Sequence, residues 1–563
     1  MRYRVLAADY DGTLASHSAV DGHTIEALER LRRSGRHLIL VTGRRLPDLV
    51  SIFPRLDLCS GVVAENGAVL HVPGEHRTTI LAAAPDPRFL QALRVRGVPF
   101  HAGKVVVATD QPYEQAVLAA IKELGLDLHI VFNGPAVMVL PEAVTKASGL
   151  ETALEDLGMT LRNVVGIGDA ENDHAFLDRC ELSAAVANAL PAVRERADAV
   201  TVQDEGRGVV ELIDALLRDD LTDLTSQVPR LRLMLGSDRE GREVTIPPST
   251  SGFVLAGPSA SGKSTLATAF IEQLAARGYQ FCVIDPEGDY ERLGGVAVVG
   301  DPERAPSVAE VLRLLEQTGQ DVVANLLGVP MADRPGFLAA FLPALLALRA
   351  RTGRPHWLVV DEAHHVLPDT APARLPGEQD LPGLLLLTVH PDRVAAEVLQ
   401  CTEGVIAFGR EVGRTIDAYA RGQGVKPPVT RSLDVRSGEV VAWWKAGRPV
   451  RFRPLQPSGE RRRHLRKYLR GDLGPDSFIF TGPTGALHLR AQNLLLFLQI
   501  GEGVDDGTWE FHRRRGDYSR WLRRAIKDDA LAAEVERIEV RPGAPPDEAR
   551  HLLRSAIEAR YTI

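Results

Sequence analysis

Short apolar runs alternate along the first 215 or so residues with segments whose apolar positions recur every three to four residues. This alternation predicts buried parallel strands covered by amphipathic helices, an α/β arrangement. Val5–Ala8, Leu38–Val41 and Val164–Ile167 are its clearest strands. A second series of the same kind begins near Gly252, with strands expected at Phe253–Ala256, Phe281–Ile284, Trp357–Val360, Leu384–Val389 and Gly404–Phe408. Between the two, Asp219 to Pro248 is rich in charged and turn-forming residues, which places a boundary there. A last break near Pro454–Gly459 leads into a mainly helical pattern. The expected division is therefore 1–218, 228–454 and 455–563, the last being a basic linker and a small helical module.

The chain of 563 residues is long enough for three or four domains, and its 45% hydrophobic and 25% charged residues are an ordinary globular balance. Phe337–Leu348 is its longest nearly uncharged run, shorter than the ~20 residues of a membrane span and interrupted by Pro343, so no membrane segment is expected. The amino terminus runs straight into a strand pattern without an apolar signal core, and Cys59, Cys180, Cys282 and Cys401 have no paired spacing. Together these suggest a reducing, cytoplasmic setting without a disulfide framework or zinc site. The net charge of −8 is uneven: residues 451–563 hold 21 Lys+Arg against 16 Asp+Glu, which leaves −13 for residues 1–450. Eight of those basic residues lie in 451–470, a segment that reads as a solvated linker or as a contact for nucleic-acid phosphate.

Candidate chemistry begins where the first strand ends. Asp9 and Asp11 in Asp9-Tyr10-Asp11-Gly12-Thr13 alternate onto one side at the carboxyl end of Val5–Ala8, where parallel sheets bind ligands. Such a carboxylate pair suits hard-cation binding, and also attack on phosphorus with proton handling by the second member. Three more segments converge on the same chemistry. Thr42-Gly43-Arg44 offers a hydroxyl and backbone N–H groups to a phosphoryl oxygen, Lys146 supplies a cation, and Gly168-Asp169-Ala170-Glu171-Asn172-Asp173 brings further carboxylates to a strand end.

In this order the four segments resemble the haloacid dehalogenase-like phosphatases of Cof type, over roughly residues 1–215. The resemblance implies a Rossmann-like core with a small α/β cap at about 78–143, similar to that of archaeal phosphoglycolate phosphatases. It also implies Asp9 as nucleophile, Asp11 as general acid/base, and Thr42, Gly43, Lys146 and Asn172 around the phosphate. Mg²⁺ would be held by Asp9, Asp169 and the Asp11 carbonyl, with Asn172 and Asp173 supporting that site. His101 and Lys104 in the cap are read first as solvated surface and second as contacts for a substrate anion.

A second motif, Gly257-Pro258-Ser259-Ala260-Ser261-Gly262-Lys263-Ser264-Thr265, sits between an expected strand and an expected helix, the context a phosphate-binding loop requires. Its glycines would expose N–H groups to a nucleotide triphosphate, Lys263 would reach the β and γ oxygens, and Ser264 would bind Mg²⁺. Asp361 and Glu362 follow the strand Trp357–Val360, where they would hold a metal-bound water and polarise the attacking one. With Asp285-Pro286-Glu287-Gly288-Asp289-Tyr290, these segments resemble the HerA/FtsK ATPases over about 228–450. That implies a RecA-like domain, ATP as ligand, a homohexameric ring, and a trans-acting arginine, with Arg410 and Arg414 as candidates. His390 stands near the place where such proteins commonly carry a glutamine, and their amino-terminal β-barrel is missing.

The main expectation is a bifunctional enzyme, a Mg²⁺-dependent phosphomonoesterase joined to a ring-forming ATPase that acts on nucleic acid or nucleotides. The alternatives are a phosphatase of small phosphorylated compounds with the ATPase as regulator or scaffold, polynucleotide end-processing of the kinase-phosphatase kind, and an ATP-governed assembly platform. In the carboxyl-terminal part, Asp517 is expected to cap a helix with Tyr518, Trp521 and Leu522 on its buried face, and His512 with Asp517 is read as packing rather than catalysis.

Overall fold

The computed structural model describes residues 2–291, 293–370, 381–429, 435–445, 447–457, 473–485, 487–526, 528–541 and 543–560. The chain separates into two compact units, Met1–Ser458 and Gly459–Ile563. Residues 458–470 of the basic segment lie outside the described residues.

The larger unit contains two extended sheets. The first runs in the order Ala199–Val200, Leu182–Ala185, Val164–Gly168, Val5–Ala8, His37–Val41, Gly61–Ala64, Val69–Val72 and Arg77–Ile80. The six strands up to Gly61–Ala64 are parallel, and the last two extend the sheet as an antiparallel meander. Its central strands are buried on both faces, which is why they read as unbroken apolar runs rather than alternating ones. Asp21 starts the first covering helix, Gly22–Arg33, by accepting the Thr24 N–H at 2.7 Å. Because Arg77–Ile80 pairs with the core sheet, the separate four-stranded antiparallel sheet and two helices of the cap span Pro87–Pro141, starting later than the expected 78. The cap has its own apolar core around Phe89, Leu93, Val117 and Ile121.

The second sheet has seven parallel strands in the order Gly404–Ala407, Gly252–Ala256, Leu384–Thr388, Trp357–Val360, Phe281–Asp285, Asp321–Asn325 and Val296–Val299. Four antiparallel strands, Val440–Trp444, Val450–Pro454, Leu233–Ser237 and Glu243–Ile246, continue it at one edge. The helix Arg334–Thr352 covers one face with Leu338, Phe341, Leu342, Leu345 and Leu348. With Met331–Asp333 it forms a 22-residue segment containing an 18-residue window of mean hydropathy 1.3, long and apolar enough by length and composition to cross a membrane. This corrects the count of uncharged residues alone, which missed that the helix extends beyond that run at both ends. Its apolar stripe is instead packed in the core of the second sheet.

The two sheets meet through their strands' amino ends, in a buried polar junction. Glu181, wholly buried just before Leu182–Ala185, accepts hydrogen bonds from Arg2, from Arg162 Nη1 at 2.8 Å and from the Tyr279 hydroxyl at 2.7 Å. Burial and the Glu181 charge push the Tyr279 hydroxyl above its ordinary range, so it remains a donor. Beside it the buried Arg354 donates to the Gly158 carbonyl at 2.6 Å and to Gln280 Oε1 at 2.6 Å.

The smaller unit pairs Phe478–Phe480 with Leu489–Ala491 against helices, around a core of Phe478, Phe480, Phe497, Trp509, Tyr518 and Trp521. Asp528 caps the helix Asp529–Glu539, its side chain accepting the Leu531 N–H at 2.9 Å. Asp517 is not a cap: Gly516 takes the cap position, and Asp517 enters the first turn, where its carboxylate faces His512 Nδ1 at 2.9 Å. His512 Nε2 accepts the Thr481 N–H at 3.1 Å, so both ring nitrogens are engaged in packing.

Glu181→Ala should leave the Arg2 and Arg162 guanidiniums without their shared carboxylate and cost about 3–5 kcal/mol. The denaturant midpoint of the full chain checks this; a loss under about 1 kcal/mol would show that water replaces the carboxylate without cost.

Candidate active site

The strand ends of the first sheet bring Asp9 together with Asp169 and Asp173, whereas Asp11, which the alternation paired with Asp9, lies outside this trio. Asp9, Asp169 and Asp173 place a carboxylate oxygen each within 4.8 Å of one another. Thr145 opens the helix Lys146–Asp156 with a reciprocal capping box to Ser148, which fixes Lys146 at the first helical position. From there its ammonium donates to Asp9 Oδ1 at 2.5 Å and to Asp173 Oδ1 at 2.6 Å. The other Asp173 oxygen accepts the N–H groups of Asp169 and Ala170 at 2.9 and 3.0 Å, tying down the loop after Val164–Gly168. Asp169 also accepts the Thr13 hydroxyl at 2.8 Å, and Gly12 lies so close that a Cβ there would be 2.4 Å from Asp169 Oδ2.

The charges are strongly coupled. Burial, reinforced by Asp173, pushes the Asp9 carboxyl above its ordinary range against the opposing pull of Lys146. Asp169 is pushed up to about 6, first by burial and then by Asp173. Burial works against the charged form of Lys146, but Asp173 and Asp9 outweigh it and hold the ammonium protonated. Three carboxylates around one ammonium leave an excess of negative charge in a dry site, and an oxygen-binding divalent cation fits that donor set.

Thr42 is buried at the end of His37–Val41, and its hydroxyl accepts the Arg44 N–H at 3.1 Å. Gly43 faces Asn66 and Met138 so closely that a Cβ would lie 3.3 and 3.4 Å from them. Asn172 donates to Asn66 Oδ1 at 3.3 Å, while its own buried Oδ1 has no hydrogen-bond partner among the described residues. Asp11 stands apart from the carboxylate trio, because Arg44 grips it with Nε and Nη2, both at 2.6 Å. Tyr10 turns into the core against Phe53, away from the site. His101 and Lys104 expose their side chains, in line with the solvated reading.

The sequence profile of haloacid dehalogenase-like hydrolases matches residues 6–85 and 99–213. Residues of this chain are 33% identical over 217 positions to the phosphoglycolate phosphatase of Methanothermobacter thermautotrophicus, covering 37% of this chain and 97% of that protein. The chain belongs to the haloacid dehalogenase-like hydrolases. The phosphoglycolate phosphatase of Halorubrum lacusprofundi is 36% identical over 207 residues, covering 35% of this chain and 89% of that protein. A haloacid dehalogenase-like hydrolase from B. subtilis of known structure is 20% identical, with 38% of this chain and 99% of that one covered and a TM-score of 0.34. The membership thus rests on the first 215 or so residues, those of the first sheet and the cap.

Beyond the hydrolase part, the Gly257–Thr265 loop joins Gly252–Ala256 to the helix Lys263–Ala276. Gly257 has φ 149° and abuts the Phe408 carbonyl, where a Cβ would be 2.6 Å away; Gly262 has φ 99° at the helix start. Lys263 folds back to donate to the Gly257 and Pro258 carbonyls at 2.8 and 2.9 Å, and burial lowers its pKa. Ser259 is exposed, Ser264 and Thr265 are half-buried, and the Ser261 hydroxyl is buried without a hydrogen-bond partner among the described residues. Asp361 is buried and accepts the Glu362 N–H at 2.9 Å; Glu362 has φ 40°. Arg410 and His390 are exposed, and Arg414 pairs with Glu411 at 3.0 Å. Sequence reasoning missed His364, whose Nδ1 lies 3.4 Å from Glu362 Oε2 and 3.2 Å from the Thr388 hydroxyl. It also missed the side-chain roles of Arg44, Glu65 and Asn66; among these, only the strand-end position of Arg44 gave a signal.

Mg²⁺ at about a hundred times its Kd should stabilise the full chain by about 2.7 kcal/mol, read as a rise in Tm, and Asp169→Asn should remove most of that rise. Because a protonated carboxyl is a poor cation ligand, the affinity should fall as pH drops through about 6, where Asp169 takes up its proton. An affinity constant from pH 8 to pH 5 would place the cation elsewhere.

Proposed function

We propose that residues 1–218 hydrolyse small phosphomonoesters, with phosphoglycolate-like and sugar-phosphate compounds as the substrate class. The observation that carries this is the buried Lys146 bridge between Asp9 and Asp173 beside Asp169, in a chain related to proteins named phosphoglycolate phosphatase. Asp9 attacks phosphorus through a carboxylate oxygen, and the ester P–O bond breaks. Asp11 gives the departing oxygen a proton, then takes one from the water that cleaves the aspartyl phosphate, restoring Asp9 and releasing phosphate. For these transfers Arg44 must loosen its hold on Asp11. Thr42, the Gly43 backbone and Lys146 position the phosphoryl oxygens, with Asn172 beside them. Asp9, Asp169 and the Asp11 carbonyl would hold Mg²⁺, with Asp173 fixing their loop; the cation would neutralise charge on the phosphoryl group.

The glycine-lined loop from Gly257 favours a second reading for residues 228–454: ATP binding there, by a HerA-like module that regulates or scaffolds the phosphatase. Lys263 would exchange its loop carbonyls for the phosphates, with Gly257, Ser259, Ser261, Gly262 and Thr265 lining them. Ser264 and Asp361 would serve the metal and Glu362 the attacking water, with Arg410 as the arginine supplied across a ring. Nucleic acid as a partner rests on the basic run 451–470, most of which lies outside the described residues.

Asp9→Asn should lower hydrolysis of 2-phosphoglycolate and of p-nitrophenyl phosphate by about a thousandfold or more while leaving ATP binding unchanged. Lys263→Ala should do the reverse, abolishing ATP binding without removing the phosphatase. Phosphate release that survives Asp9→Asn would overturn the assignment of the nucleophile. ATP hydrolysis by Asp9→Asn that rises several-fold with DNA would move the second reading to a nucleic-acid motor.

A further inference from the structure

Glu65 is a carboxylate buried to 2% exposure, and no salt-bridging cation accounts for its burial among the described residues. Its partners are backbone N–H groups of the cap. Oε1 accepts from Lys104 at 3.0 Å, and Oε2 accepts from Val105 and Val106 at 2.9 and 3.0 Å. Three successive N–H groups around one carboxylate form an anion nest, in which each hydrogen bond is charge-assisted. The neighbouring Gly103 is shaped to the same group, since a Cβ there would lie 2.5 Å from Glu65 Oε2.

The backbone that presents Glu65 is unusual. Glu65, Asn66 and Gly67 have φ of 52°, 53° and 106°, so two non-glycine residues in succession occupy the left-handed region. Such conformations persist only where the surroundings hold them. The same turn reaches the site on two further sides. Asn66 Oδ1 accepts from Asn172, Asn66 Nδ2 points at Met138 Sδ of the cap at 3.0 Å, and Gly67 abuts the carbonyl of Thr145, the cap of the Lys146 helix. Val105, Val106, Met138 and Leu140 of the cap join the apolar core of the first sheet, and Asp9 and Lys146 are 5% and 2% exposed.

We propose that Glu65 is the latch of the cap: a positioning residue that holds the 103–106 loop closed over the site and, through its own turn, registers closure at Asn172 and Lys146. The role in turnover rests on the phosphatase reading; the latch itself does not. Opening the cap strips the Glu65 carboxylate of all three N–H donors at once, which makes closure a switch between two positions rather than a gradual drift.

The test is amide hydrogen exchange on the full chain with Glu65→Gln, Glu65→Ala and Gly103→Ala. Gly103→Ala attacks the contact from the cap side and leaves the strained turn intact, so it reports even if a Glu65 variant misfolds. In each folded variant, exchange in the 103–106 peptide should rise about tenfold or more, with the 146–156 helix and the second sheet unchanged. With p-nitrophenyl phosphate, KM should rise several-fold and kcat should change less than about twofold, because a smaller closed population weakens apparent binding. A merely structural role would lower kcat with the active fraction, leave KM alone, and raise exchange across the whole core. Unchanged exchange at 103–106 in Gly103→Ala and Glu65→Gln would overturn the latch. Faster exchange there in a chain without phosphatase activity would keep the latch and overturn the phosphatase reading instead.

Discussion

A single ammonium holds the first site together. Lys146 lies between Asp9 and Asp173 in a place almost closed to water, where its charge opposes the burial and the Asp173 repulsion that push the Asp9 carboxyl up. Its position is a product of the helix start, since Thr145 caps the helix and Gly67 lets the next layer approach that cap closely. Asp173 in turn uses its second oxygen to hold the Asp169 loop, so one cation sets the geometry of three elements distant in sequence. The remaining negative charge is what a divalent cation would satisfy; burial first, and Asp173 after it, push Asp169 up to about 6.

The junction between the two sheets is built from the opposite ends of the same strands. Arg2, Arg162 and Glu181 precede strands of the first sheet; Tyr279, Gln280 and Arg354 precede strands of the second. The chemistry-bearing groups, Asp9 and Asp169 on one side and Gly257 and Asp361 on the other, follow the carboxyl ends. Parallel sheets gather ligands at those ends, and the junction lies at the opposite ones. A buried ionic junction is poor value in stability beside an apolar one, but it accepts only one registration of its partners.

Some readings survived because they rested on local geometry. Asp9, Thr42 and Asp169 were found by asking which residues follow a buried strand, and the fold brings Asp9 and Asp169 together at those ends, with Lys146 on Asp9. At Gly257 and Gly262 the backbone takes the positive φ that glycine permits, at the strand-to-helix turn expected there. Local rules fell short in two places. Gly516, not Asp517, took the helix cap, and the Asp517 carboxylate faces His512 instead. They failed also at 334–352, where counting uncharged residues undervalued the length of a core helix.

The sequence by itself determined the strands, the helix starts and the residues placed at their tips, since each depends on neighbours within one or two turns of chain. It also carried enough of the phosphatase pattern to point to the family that the relatives establish. Only the tertiary structure decided what those tips face. That Arg44 grips Asp11, that Glu65 grips the cap loop some forty residues on, and that Glu181 joins two sheets all depend on partners far along the chain. A buried charge carries no mark in sequence of the group that will satisfy it. The requirement to satisfy it appears only once water has been excluded.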